Sequence, residues 1–197
     1  RVIRHGRGFA PQTVQINSGQ TILACGGDLK NTFCLSRDNF AFLSQYNGSL
    51  TNLENYQRYQ DNINHLQQLY QIEPELIAHD LHSGYYTTQY AQELTGKKIA
   101  VQHHHAHLVS CMVEHQLQQP VIGVAFDGLG LGTDGQLWGG EFFICDYSDF
   151  MRVGYLQYTS QPGGDQAVKE PWRMAVSYLK QAGIEVTEIF SNNVPQI

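Results

Sequence analysis

Four histidines fall within five residues in the run VQHHHAH at 101–107, and their spacing limits what they can do. Residues four apart on an α-helix stand above one another on one face, so His103 and His107 can aim two imidazoles at one ion. Leu108 and Met112 would continue the apolar stripe of the same helix. Two imidazoles so placed suit a divalent metal, Fe or Zn. The competing reading is a solvated or hydrogen-bonded histidine cluster without metal. A metal site needs a third ligand, and Asp127, at the end of the apolar run VIGVAFDG, is the candidate. A carboxylate at the end of a buried strand is costly unless a cation or donor compensates it. Asp127 could instead cap the following turn, and Cys111, one turn beyond His107, is an alternative ligand.

Two glycine-rich segments offer backbone amides to an anion. CGGDLKN at 25–31 supplies Gly26, Gly27, Asp28, Lys30 and Asn31, with Lys30 able to meet a phosphate or carbonyl oxygen and Asn31 to orient it. DGLGLGTDGQLWGGE at 127–141 holds six glycines in fifteen residues, with Gly128, Gly130, Gly132 and Asp134 as candidate nucleotide contacts. It matches neither a P-loop nor a dinucleotide fingerprint. Either segment could be a plain hairpin. A third, PGGDQAVKEPWRMA at 162–175, either lines a cleft or turns the chain, and places Pro171 at a first helical turn.

The elements that must position these residues follow from the periodicity. Short β-rich runs at 21–27, 31–37 and 39–45 predict three antiparallel strands. Thr51 and Glu54 fit a capping box ahead of a helix running to Tyr70. ELIAHDL at 75–81 reads as a strand, 87–94 as a helix, 97–102 as a strand, and a helix from the histidines to about Gln118. Strands at 121–128, 137–146 and 150–159 and a helix from Pro171 to Gly183 then restart the three-strand-plus-helix order. The expected class is α/β, an actin-like (ribonuclease-H-like) two-lobed ATP-binding fold with a truncated second lobe. Residues 1–19 read as a linker, 20–120 as the first lobe and 121–197 as the start of the second.

Composition bounds the partners. The chain has 197 residues and a formal net charge of −6, which disfavours a phosphate-backbone binder, so no nucleic-acid partner is expected. No apolar run approaches the roughly 20 residues of a membrane span, and the arginine-bearing N-terminus lacks the features of a secretory signal. Cys25, Cys34, Cys111 and Cys145 form no CxxC pair, which suits free thiols, mostly in the core, and a reducing cytoplasm.

LACGGDLKNTFCLS, SQYNGSL, IAHDLHSGYYTT, VQHHHAHLVSCM, VIGVAFDGLGLGTDGQLWGGEF and PGGDQAVKEPWRMA together resemble the HypF carbamoyltransferases, maturation factors of nickel-iron hydrogenases. The likeness spans nearly the whole chain and is specific to their Kae1-like portion. It implies an upstream YrdC-like domain that makes carbamoyl-adenylate from carbamoyl phosphate and ATP. The Kae1-like domain would pass the carbamoyl group to the C-terminal cysteine of the partner HypE, for later dehydration to cyanide. It places metal ligands on His103, His107 and Asp127, with a further aspartate beyond Ile197. It places nucleotide and carbamoyl contacts on the Asp28–Lys30–Asn31 hairpin and the 128–140 loop. Lys30 and backbone amides would stabilise charge on the carbonyl and the leaving phosphate. This portion alone is expected to be inactive in the overall reaction. The serine in DLHSGY replaces an expected proline, and FDGLGLGTDG lacks a commoner threonine and tyrosine; neither touches the proposed ligands. The alternatives are an O-carbamoyltransferase acting on a small hydroxyl compound and a non-catalytic metal- or nucleotide-binding module.

Overall fold

The structure, a computed structural model, describes residues 12–185, and these form two compact units divided after Tyr155. In the first unit a mixed sheet is built from β1 (Gln12–Gln15), β2 (Ile22–Ala24), β3 (Cys34–Arg37), β4 (Phe40–Leu43), β5 (Leu76–Asp80) and β6 (Lys97–Val101). Its spatial order is β1-β4-β3-β2-β5-β6. The meander β2-β3-β4 is antiparallel, whereas β2-β5 and β5-β6 run parallel, each parallel pair joined through a helix. Those helices are α1 (Leu53–Tyr70) and α2 (Tyr86–Glu93). Tyr59 and Ile63, one helical turn apart on α1, close the core over Leu23, Phe33, Leu35 and Ile77.

A second, three-stranded meander follows in the same unit: β7 (Val121–Leu131), β8 (Leu137–Cys145) and β9 (Phe150–Tyr155), in that order. Helix α3 (His103–Glu114) packs against it, with Met112, Ala125, Trp138, Phe143 and Cys145 as the buried cluster. The second unit holds α4 (Gln166–Lys169) and α5 (Trp172–Gln181). Its Gly163 and Gly164 both adopt positive φ, so the glycine pair turns the chain there. Arg173 Nε lies 2.5 Å from Glu170 Oε2, and Ser177 donates to the Ser160 carbonyl at 2.7 Å, fastening α5 to the segment before it.

The expected strand and helix order is present, with local corrections. The N-cap of α1 is Asn52 rather than Thr51; its side chain accepts from the Asn55 amide at 3.1 Å, and Glu54 pairs with Arg58 instead of closing a capping box. Helix α3 stops at Glu114, short of Gln118, because Gln116 turns into the left-handed region at φ 53. Strand β7 runs on to Leu131 through an irregularity, and β9 ends at Tyr155 instead of 159. The short helix α4 is an addition. Gln12–Gln15, inside the segment read as a linker, pairs with β4 as an edge strand; residues 1–11 lie outside the described residues.

Candidate metal centre

Strand β6 delivers the chain to α3 through a single residue, Gln102. Its side chain caps the helix by accepting from the His105 amide at 2.8 Å, and its amide donates to the Leu131 carbonyl of β7 at 3.3 Å. His103 and His107 therefore occupy consecutive turns of one face, with Nε2 atoms 3.2 Å apart. Across from them the β7–β8 register shifts between Phe126 and Gly130, and this irregularity releases Asp127 from the ladder. Asp127 Oδ2 lies 3.1 Å from His103 Nε2 and 3.5 Å from His107 Nε2. One ligand atom from each of the three falls within 4.8 Å of the others.

This donor set fits a cation. A tetrahedral zinc with bonds of about 2.0–2.1 Å separates neighbouring ligand atoms by roughly 3.3 Å, close to the spacings found. His103 Nδ1 lies 2.7 Å from Asp80 Oδ2. A carboxylate oxygen only accepts, so the ring proton sits on Nδ1 and a neutral His103 turns a lone pair from Nε2 toward Asp127 Oδ2. Two acceptors that face each other need a proton or a metal ion between them. The electrostatics agree. The Asp80 hydrogen bond raises the His103 pKa against the opposing effect of burial. Burial works against ionisation of Asp127, but the Gly128 amide and the neighbouring histidines hold its pKa below the usual value. Tyr85 is pushed up to about 12 by burial and by the negative field of Asp80, Asp28 and Asp127. His107 and Asp127 are exposed, which leaves one side of the site open to an incoming oxygen.

The histidines between the two ligands do other work. His104 is fully buried, with Nδ1 2.8 Å from Glu141 Oε2, and burial lowers its pKa. Glu141 in turn accepts from Arg152 at 3.1 Å. His105 Nε2 meets the Asp146 carbonyl at 2.8 Å. These two rings anchor α3 to the second sheet, while His103 and His107 face the site.

The glycine segments reach the site in part. A Cβ on Gly27 would lie 3.8 Å from His103 Cε1, so the first hairpin abuts the ligand pair. Gly26 needs its positive φ, and a Cβ there would stand 2.5 Å from the Thr32 carbonyl. Lys30 is exposed at φ 53. Asn31 is buried, and its amide donates to the Cys25 and Gly27 carbonyls while accepting from Asn47, so it braces the hairpin. Asp28 accepts from the Tyr86 and Thr87 amides at 2.9 and 3.0 Å, capping α2. In the second segment the Gly128 amide donates to Asp127 at 2.7 Å, and Gly130 lies against His103 and His104. Gly132 and Asp134 lie against Trp138 at the other end of the hairpin, where Asp134 accepts from the indole N–H at 2.9 Å.

Sequence reasoning missed Asp80, although the signal existed: LIAHD ends an apolar strand in an aspartate just as VIGVAFD does. Tyr85 also borders the hairpin, its Cε2 3.9 Å from where a Cβ on Gly27 would stand, and its ring stacks on His82 at 4.4 Å.

Residues 17–114 match the HypF Kae1-like domain model, and residues 123–196 match the carbamoyltransferase Kae1-like domain, second subdomain. The chain belongs to the HypF Kae1-like family. Its HypF relatives include carbamoyltransferase HypF2 of Cupriavidus necator, 44% identical over 92% of this chain and 23% of that protein. Carbamoyltransferase HypF of Rhizobium leguminosarum is 42% identical over 92% of this chain and 24% of its own length. A crystal structure of full-length HypF in the phosphate- and nucleotide-bound form has a TM-score of 0.87 and 41% identity, covering 96% of this chain and 27% of that one. The crystal structure of T. kodakarensis HypF gives 0.83 and 37%, covering 91% and 24%. The α/β architecture is thus the Kae1-like fold of HypF. The chain spans about a quarter of the length of these relatives.

Proposed function

We propose that this chain forms the part of a HypF carbamoyltransferase that receives carbamoyl-adenylate and presents its carbonyl to the C-terminal cysteine thiolate of HypE. The observation that carries the reading is the convergence of His103, His107 and Asp127 beside the Gly26–Gly27 hairpin. The three would hold a divalent ion, zinc or iron, and that ion would supply a positive charge for ribose or phosphate oxygens. Backbone amides of the Gly26–Gly27 hairpin are suited to phosphate oxygens, whereas those of Gly128 and Gly132 are already bonded within the chain. Lys30, exposed at the hairpin tip, is the cation for the carbonyl or leaving phosphate. In the transfer the thiolate forms the new C–S bond as the C–O bond to phosphate breaks, releasing AMP. The nucleophile comes from the partner, which fits the lack of a nucleophile–base pair among the proposed site residues. Among the described residues no helix is long and apolar enough to cross a membrane, and the thiol chemistry suits a reducing cytoplasm.

Two measurements test this. Zinc or iron titrated into the chain should bind at one ion per chain, and His103→Ala and His107→Ala should abolish that stoichiometry; unchanged binding in both would refute the ligand assignment. A full-length protein carrying this segment, given carbamoyl-adenylate and a peptide ending in the HypE cysteine, should add one carbamoyl mass to the peptide. Transfer to a small hydroxyl compound in place of the thiol would overturn the acceptor.

A further inference from the structure

We propose that Asp80 is a positioning residue of this site: it locks His103 in the tautomer whose Nε2 lone pair faces the ion, and it couples that ring to the turn after β5. The inference rests on the reading of His103 as a ligand. Asp80 is the last residue of β5, a strand paired on both sides, and it stands in register with Val101, two residues before His103. Its carbonyl is held by the Thr88 hydroxyl at 3.2 Å and by His79 Nδ1 at 2.8 Å. The side chain is nearly buried and uses both oxygens. Oδ2 lies 2.7 Å from His103 Nδ1, and Oδ1 accepts from the His82 amide at 2.8 Å.

Both partners require an acceptor. The His82 amide can only donate, and His103 Nδ1 must donate if Nε2 is to keep a lone pair for a metal. A carboxylate satisfies both at once. An amide of the same shape cannot, because its NH2 must face one of them. In Asp80→Asn the oxygen stays with the His82 amide, whose proton cannot move. The NH2 then faces His103, whose proton can shift to Nε2. The substitution keeps volume and packing but turns His103 into the tautomer that cannot bind metal, the same logic by which an asparagine disables a catalytic histidine in serine proteases.

The test uses histidine side-chain nitrogen NMR on metal-free protein at alkaline pH, together with zinc affinity from competition with a chromogenic chelator. His103 in the unmodified chain should carry its proton on Nδ1. Asp80→Asn should shift it to Nε2 and weaken zinc about 10–100-fold, with the thermal midpoint unchanged. A proton found on Nε2 of His103 in the unmodified chain would overturn the proposal, and this reading needs no variant to fold. Unchanged zinc affinity in Asp80→Asn, while His103→Ala loses the ion, would also overturn it. If His103→Ala retains full affinity, the ligand assignment itself fails, and Asp80 with it.

Discussion

Cys111 stands one turn beyond His107 and is exposed on α3, whereas Cys25 and Cys145 are buried and Cys34 is half-buried. Burial pushes the Cys25 thiol up to about 11 and the Cys34 thiol up to about 12, so at neutral pH almost none of either is the reactive thiolate. A thiol reagent such as DTNB should therefore label Cys111 first in the native protein and reach Cys25 and Cys145 only on unfolding, and Cys111→Ser should remove the fast phase. The same experiment separates the two readings of α3. With His103, His107 and Asp127 as the ligands, saturating zinc leaves the Cys111 rate unchanged, while protection by zinc would make Cys111 a ligand. The histidine pair was legible in the sequence because a spacing of four becomes a shared face as soon as a helix forms. Asp80 shows in the sequence only as an aspartate ending an apolar strand; its link to His103, 23 residues away, comes from the parallel pairing of β5 with β6.

At the scale of elements, the first hairpin spends its carboxylate on helix α2. Tyr85, the N-cap of α2, makes no side-chain capping bond, and Asp28 supplies both acceptors from the loop after β2. A negative charge at a helix N-terminus also meets the favourable end of the macrodipole. Asp28→Ala should lower unfolding stability by about 1–2 kcal/mol, measured as a reduced urea midpoint with unchanged m-value. Because α2 begins beside the His82–Tyr85 stack, the same loss loosens the wall of the site at Gly27. A stability unaltered by the substitution would show that the two amides find other acceptors. A local capping pattern such as Thr51–Glu54 can be read from sequence, and even there the cap fell one residue away, on Asn52. A cap donated from 58 and 59 residues upstream carries no local signature. Element order survived because hydrophobic periodicity is local. Element ends shifted because they depend on single residues such as Gln116, whose left-handed backbone closes α3 early.

At the scale of the whole chain, the three-stranded sheet is two-faced in an uneven way. Gly123, Ala125, Trp138, Phe143 and Cys145 point to the cluster under α3, whereas the opposite face presents Ile122, Val124, Phe126, Ile144, Met151 and Val153 to solvent. The register lines these up in rows: Ile122 opposes Ile144, which opposes Met151, and Val124 opposes Phe142. Ile122 is 80% exposed and Phe126 66%, values that soluble chains tolerate singly but rarely across a contiguous face. The apolar run VIGVAFDG reads as a buried strand, but only alternate residues of β7 are buried and Ile122, Val124 and Phe126 are exposed. The 197-residue chain should therefore bind the dye ANS in its native state and associate as concentration rises. Ile122→Lys with Phe126→Lys should remove most of the dye fluorescence and shift sedimentation toward the monomer while leaving zinc binding intact, since both side chains point away from α3. Dye binding and association unchanged in the double variant would mean that a different surface is the sticky one.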